Sequence, residues 1–232
     1  MIPLLGVPVL NREDLAARMV RSVDHPVNEL LIVVNASDKE KVVGTIREAA
    51  EDNPAIRKTT FSIPSFNLGC GGSWNHIIRH RPVGPWWFIV NADIEFGPGD
   101  LDRLAETMGP EPMVATLFEF GAFAPNAAAV DRVGWFDENL HPMYFEDNDY
   151  KRRMLIAGVP YLRVDSRTRH DNSSTIGSDA RLALRNQETF GLNAAYYLEK
   201  WGGPPGRETF TVPFDDGGEI PVSRARLASQ AW

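Results

Sequence analysis

The sequence predicts an α/β domain in which a mainly parallel central sheet is flanked by helices and followed by a short C-terminal extension. Three observations carry that prediction. Short apolar runs alternate with amphipathic stretches through the first half of the chain, the signature of βαβ units. The 232 residues, 43% hydrophobic and 24% charged, suit one large soluble domain with a full core. Beyond residue 202, "GGPPG" and "PFDDGG" break all periodicity, so the last part reads as a tail rather than a domain. The expected organisation is a domain over 1–201, with a nucleotide-binding half at 1–98 and an acceptor or catalytic half at 99–201, then an extension over 202–232.

Each element has its own signal. "IPLLGVPVL" reads as a strand, and "REDLAARMVRSV" sets Leu15, Met19 and Val23 on one helical face. "LLIVV" is a short buried strand before a helix over "DKEKVVGTIREAAED", and "KTTFSI" supplies a third strand. "GGSWNHIIRH" is a helix entered through glycine, and "WWFIV" is the next buried strand. In the second half, "MVATLFEFGAFAP" is strand material and "NAAAVDRVG" a short helix. "NDYKRRMLIAG" is a longer helix, with Asp147 or Asn148 as its start and Gly158 as its stop. "VPYLRVD" is another strand, and a helix runs over roughly 179–201.

Bulk properties remove several functions. A net charge of -7 argues against a nucleic-acid platform, so a phosphate-bearing ligand must be met by a metal, backbone amides or a few arginines. The single cysteine, Cys70, allows neither an intrachain disulfide nor a thiolate metal site. No apolar run approaches the ~20 residues of a membrane span, and the N-terminus lacks the marks of a signal peptide. A cytoplasmic protein is expected.

Ligands of parallel sheets sit beyond the carboxyl ends of the strands, which directs attention to Pro8–Arg12, 35–38, Asn67–Asn75 and Asn91–Glu95. In "NADIEF", strand alternation points Asn91, Asp93 and Glu95 to one side, where a carboxylate can hold a divalent cation; Asp93 starting a turn is the even alternative. In "NLGCGGSWN", Gly69, Gly71 and Gly72 permit close backbone approach to an anion at a helix start. Tight strand-to-helix packing explains them slightly better. In "FDENLHPMYFEDND", Asp137 and Glu138 read as surface or capping groups. Glu146, Asp147 and Asp149 fall within four positions behind Tyr144 and Phe145. A helix start accounts for one or two of these acids, and a shielded general base accounts for the third. Arg153 is in reach of one of them. His170, in "RVDSRTRHDNSS", is an ordinary polar-loop residue or a metal ligand.

Taken in order, "PVLNRED", "VVNASD", "NLGCGGSWN", "NAD", "VGWFDENLHPMYFEDNDYKRRMLIAG" and "KWG" resemble the family 2 glycosyltransferases with the GT-A fold, a Rossmann-like fold. The resemblance runs from about Pro8 to Trp201. It implies an inverting, metal-dependent transfer of a sugar from a nucleotide-sugar donor (UDP, GDP or dTDP type) to a hydroxyl-bearing acceptor: a glycan, a lipid-linked glycan or a protein. Pro8, Leu10, Asn11, Arg12, Asn35 and Ser37 would line the base and ribose. Asn67, Gly69, Gly71, Gly72 and Asn75 would complete the donor pocket with Asn91, Ala92 and Asp93. Asp93, with His170, would hold Mn2+ or Mg2+. Asp147 would be the base with Glu146 beside it, and Trp135, Tyr144 and Asp149 would face the acceptor.

The sequence departs from the family pattern at Asn91, which replaces the first acid of the DxD element in the manner of N-x-D rhamnosyl- and related transferases. It departs again after the second strand, where Val34 or Asn35 stands in place of the base-reading acid. A metal-dependent nucleotidyltransferase or phosphoesterase is the runner-up, although no glycine- and lysine-rich triphosphate loop opens the chain. A silent sugar-nucleotide binder is the third reading. The tail is long enough to cover the acceptor side or to reach a second subunit in a homo-oligomer.

Overall fold

The computed structural model describes residues 1–36, 38–81, 84–171 and 180–215. Strands and helices alternate first: β1 (Leu5–Val9), α1 (Glu13–Arg21), β2 (Leu30–Val34), α2 (Lys39–Glu51), β3 (Thr59–Ser62), α3 (Gly69–His80) and β4 (Phe88–Val90). Then come β5 (Ile94–Glu95), α4 (Asp100–Thr107), β6 (Val114–Phe118), β7 (Ala122–Pro125) and α5 (Ala127–Val133). The last elements are α6 (Glu146–Ala157), β8 (Tyr161–Arg163), β9 (Arg169–His170) and α7 (Ala180–Trp201).

Seven strands form one sheet in the order β3-β2-β1-β4-β7-β6-β8. The four strands of the first half are parallel. β7 alone runs against both neighbours, because the turn joining it to β6 is too short for the crossover a parallel pair needs. β8 pairs parallel to β6. The sheet is therefore mixed, yet β1, β2, β3, β4, β6 and β8 all end on one edge. Beyond that edge, β5 and β9 make a separate two-stranded ribbon.

The middle of the sheet is buried on both faces, which is why β2 reads "LLIVV" without polar alternation and is fully covered. One apolar layer joins the sheet to α1, α2 and α4, and the other joins it to α3, α5 and α6. Gly6 lets α3 lie directly on β1, since a Cβ there would stand 2.3 Å from Ile77. Asp38 caps α2 by accepting from the Lys41 amide at 3.1 Å. Gly158 ends α6 at a φ of 66°.

Helix α7 seals the second half with Tyr196, Tyr197 and Trp201 buried. The described part of the extension folds back on it. The Thr209 and Phe210 amides both donate to the Trp201 carbonyl at 3.1 Å, and Arg152 Nη2 donates to the Phe210 carbonyl at 2.6 Å. Phe214 packs edge-on against Tyr196. Trp232 lies outside the described residues.

Candidate active site

At the ligand edge of the sheet, the chain leaving β4 turns at once: the Ile94 amide donates back to the Asn91 carbonyl at 3.3 Å. That turn ends the extended geometry expected for residues 91–95. Glu95 faces Arg18, 3.7 Å away. Asp93 instead meets the β5–β9 ribbon. Its carbonyl accepts from the Asp171 amide at 3.1 Å, and its Oδ1 lies 3.0 Å from His170 Nε2. Asp93 and His170, 77 residues apart in sequence order, are thus brought together by the pairing of Ile94 with His170. The Phe118 ring covers the imidazole at 5.0 Å, and Arg18 bonds Asp171 at 2.5 Å.

This pair fits a divalent cation in donor chemistry. One carboxylate oxygen and one imidazole nitrogen leave the other positions to diphosphate oxygens and water, the usual division for magnesium-type sites. Among the described residues no group of three or more His, Cys, Asp or Glu side chains could hold a metal unaided.

The donor-side loops divide into two groups. Pro8, Leu10, Asn11 and Arg12 stay together at the end of β1, all part-exposed, with Arg12 in the left-handed region at φ 58° and paired to Asp14. Asn35 differs from its expected role. Its Nδ2 donates to Ser73 Oγ at 2.9 Å and its Oδ1 accepts from the Leu68 amide at 3.1 Å, so its side chain ties β2 to the head of α3. Asn75 is another correction: its amide exchanges bonds with the Phe136 backbone at 2.9 Å and donates to Glu138 at 2.8 Å, all within the protein. The glycines serve packing. A Cβ on Gly69 (φ 69°) would stand 2.7 Å from the Pro142 carbonyl, and Gly71 faces Asp137 and Glu146. Asn67 holds the same junction, accepting from the Gly69 amide at 2.9 Å. Ser37 lies outside the described residues.

The head of α6 starts at Glu146, so all three acids share its first turn. Tyr144 and Phe145 precede it at φ 78° and 71°, a rare conformation for aromatic residues. Each acid then has a separate fate. Glu146 is buried with Asp147 as its neighbour, and burial followed by that like charge pushes its carboxyl up to about 8. Its Oε2 has no hydrogen-bond partner among the described residues. Asp147 is raised by burial, with Lys151 pulling downward and Glu119 pushing upward. Lys151 in turn pairs with Glu119 at 2.9 Å. Cys70 hydrogen-bonds Glu146, and burial and the two acids push its thiol well up.

Asp149 is not on the acceptor side as expected. It is fully buried, accepting from Trp201 Nε1 at 2.9 Å and paired with Arg153 at 2.8 Å and Lys200 at 2.6 Å. Burial pushes it upward, but Arg153 and Lys200 outweigh burial and hold it below the usual carboxylate range. Asp137, expected at the surface, is buried too. It meets Lys200 at 2.8 Å and Tyr196 Oη at 2.9 Å. Trp135 lies under Arg79, 4.8 Å from its guanidinium, at the last turn of α3 and away from the ligand edge. Tyr144 does remain beside the acids, its hydroxyl accepting from Asn186 at 3.0 Å.

Sequence reasoning missed Lys200 and Asn193. The available signal for Lys200 was a lone cation inside the apolar run "YYLEKW". Asn193 carries no such mark.

A parallel half-sheet with a donor-type edge, followed by a hairpin and an acid-headed helix, defines a GT-A-type α/β protein. Comparison with known proteins agrees. A mannosyltransferase of Pyrobaculum calidifontis, solved with GDP-Man and Mn2+, shares the fold at a TM-score of 0.57 and 15% identity, covering 70% of this chain and 55% of that one. TarS of S. aureus does so at a TM-score of 0.56 and 14% identity, over 85% of this chain and 40% of its own. A galactofuranosyl glycosyltransferase of Leishmania donovani is 24% identical over 57% of this chain and 47% of itself, so the chain spans about half the length of that relative. The model of glycosyl transferase family 2 matches residues 5–162, and the chain belongs to that family.

Proposed function

We propose that the chain transfers a sugar, with inversion, from a nucleotide-sugar donor to an acceptor hydroxyl, using Asp147 as the general base. The observation that carries the reading is the Glu146–Asp147 pair at the head of α6, Glu146 buried and Asp147 half-buried beside it, both shifted upward within the family-matched span. A carboxylate whose pKa rises toward the working pH accepts a proton more readily while remaining partly ionised. Glu146, kept protonated by its burial, adds no second negative charge at that point.

Asp93 and His170 would hold Mn2+ or Mg2+, and the cation would offset the charge of the leaving diphosphate. Pro8, Leu10, Asn11 and Arg12 would line the nucleoside, with Asn91 and Ala92 beside the diphosphate. Tyr144 would face the acceptor. UDP-, GDP- and dTDP-type donors, including mannosyl, galactofuranosyl and rhamnosyl sugars, are the ones to try, with glycan, lipid-linked or protein acceptors. Asn35 spends one Nδ2 hydrogen on Ser73 and is part-exposed, so its second N–H is left to meet the nucleoside.

The test is titration calorimetry with GDP-mannose and UDP-GlcNAc, with and without Mn2+, on wild type and Asp93→Ala. Manganese-dependent binding that weakens at least about tenfold in the variant is expected. An affinity indifferent to both metal and variant would contradict the metal role.

A further inference from the structure

We propose that Asn193 is the positioning residue of the base, the side chain that sets where helix α6 begins; this rests on the reading of Asp147 above. Asn193 sits in the second half of α7 and is 3% exposed. Its Nδ2 donates to the Met143 carbonyl at 2.8 Å and stands 3.4 Å from the carbonyls of His141 and Tyr144. One amide thus gathers the main chain of the turn that delivers the catalytic acids.

That turn needs an outside hold. Tyr144 and Phe145 both lie in the left-handed region, a conformation that bulky side chains hold only where the surroundings enforce it. Phe145 is the N-cap of α6 and makes no side-chain cap bond. Within α6 the Phe145 carbonyl accepts from the Asp149 amide at 2.8 Å, but no cap side chain fixes the residues before it. From the opposite side the start of α3 and the loop before it take part, with the Cys70 amide donating to the Pro142 carbonyl at 2.7 Å and His141 Nε2 lying 3.1 Å from the Asn67 carbonyl. Inward-turned carbonyls require donors, and a buried carbonyl left without one is costly.

Asn is suited to this place because its amide carries two N–H groups on a short stem, whereas the isosteric Asp carries none. The same helix reinforces the grip. Lys200 lies seven residues, or about two turns, after Asn193 on the same face, and it holds Asp149 at 2.6 Å. Helix α7 therefore grips the chain just before Asp147 through Asn193 and just after it through Lys200. A shift of about 1 Å at a reacting group costs roughly 10²-fold in rate, so a loosened turn is felt in turnover before donor binding.

The experiment compares Asn193→Ala with Asn126→Ala, and runs Asp147→Asn beside them. Asn126 is an equally buried amide that donates to Gly109 and Glu111 carbonyls, away from α6. Two readouts are taken: hydrolysis of GDP-mannose and UDP-GlcNAc with Mn2+, and iodoacetamide alkylation of Cys70, the chain's single cysteine. Asn193→Ala is expected to lower kcat by about 10²-fold with donor KM little changed. It should also speed alkylation several-fold, because the thiol is held down by Glu146 and burial. Asn126→Ala should do neither at temperatures well below its melting point. The proposal is overturned if Asn193→Ala leaves alkylation at the wild-type rate, a result that stands even if neither donor is hydrolysed. It is also overturned if Asn126→Ala reproduces both effects. If Asp147→Asn keeps wild-type kcat, the base assignment fails on its own account.

Discussion

The sheet-edge pair and the head of α6 place acids beside the same expected reaction, but they obtain their partners differently. Asp93 meets His170 through one strand pairing, with both side chains partly open to the ligand edge. At α6, three acids occupy four positions and end in three conditions: Glu146 held neutral, Asp147 raised, Asp149 held ionised and sealed. Adjacent positions on one helix turn differ because the neighbouring elements differ. Asp149 faces α7 and its Lys200, Glu146 faces α3 and Cys70, and Asp147 lies towards Lys151 and Glu119. Local sequence sets the number of charges, whereas tertiary packing sets which of them can accept a proton.

The largest effect should come from breaking the sealed side. Lys200 is fully buried between Asp137 and Asp149, so Lys200→Met leaves two carboxylates facing each other with too little compensation. A loss of about 3–5 kcal/mol is expected in urea unfolding at pH 7, the usual result of removing one partner from a buried pair. A loss below about 1 kcal/mol, as for an exposed pair, would show that the network is not what holds Asp149 in place.

A smaller effect separates Glu146 from Asp149 by pH. Glu146, at about 8 in the folded protein against an ordinary 4.5, retains a proton that the unfolded chain releases. Its contribution to stability is therefore full below about pH 4.5 and is lost as pH rises through 8. Glu146→Gln has no proton to lose, so its urea midpoint should gain on wild type steadily between pH 5 and 8. Asp149 has the opposite sign: held below 3.8, it contributes above that pH and loses its contribution as acid protonates it. Parallel pH curves for wild type and Glu146→Gln would mean that Glu146 is ionised in the folded protein.

The same contrast explains what could be read from the sequence. The parallel half was readable because its signals are local: "LLIVV" is buried on both faces, Asp38 caps its own helix, and Gly158 ends its own. The antiparallel β7 was hidden in one continuous strand-like stretch, since only a three-residue turn at 119–121 marks the reversal. Asp93 and His170 were readable as candidates from their loops. Asn35, Asn75 and Asp137 were not readable as structural groups, because their partners lie 33 to 63 residues away and carry no pattern of their own. The place of Trp135 was equally hidden, since its ring lies under Arg79 on α3, 56 residues earlier in the chain.

The most direct test of the account is the turnover of Asp147→Asn set beside its donor affinity. Asn keeps the size of the side chain and removes the base, so transfer or donor hydrolysis should fall by about 10²–10⁴-fold while calorimetry finds nucleotide-sugar binding essentially unchanged. Turnover close to wild type in that variant would contradict the assignment of Asp147, whatever the state of Glu146 beside it.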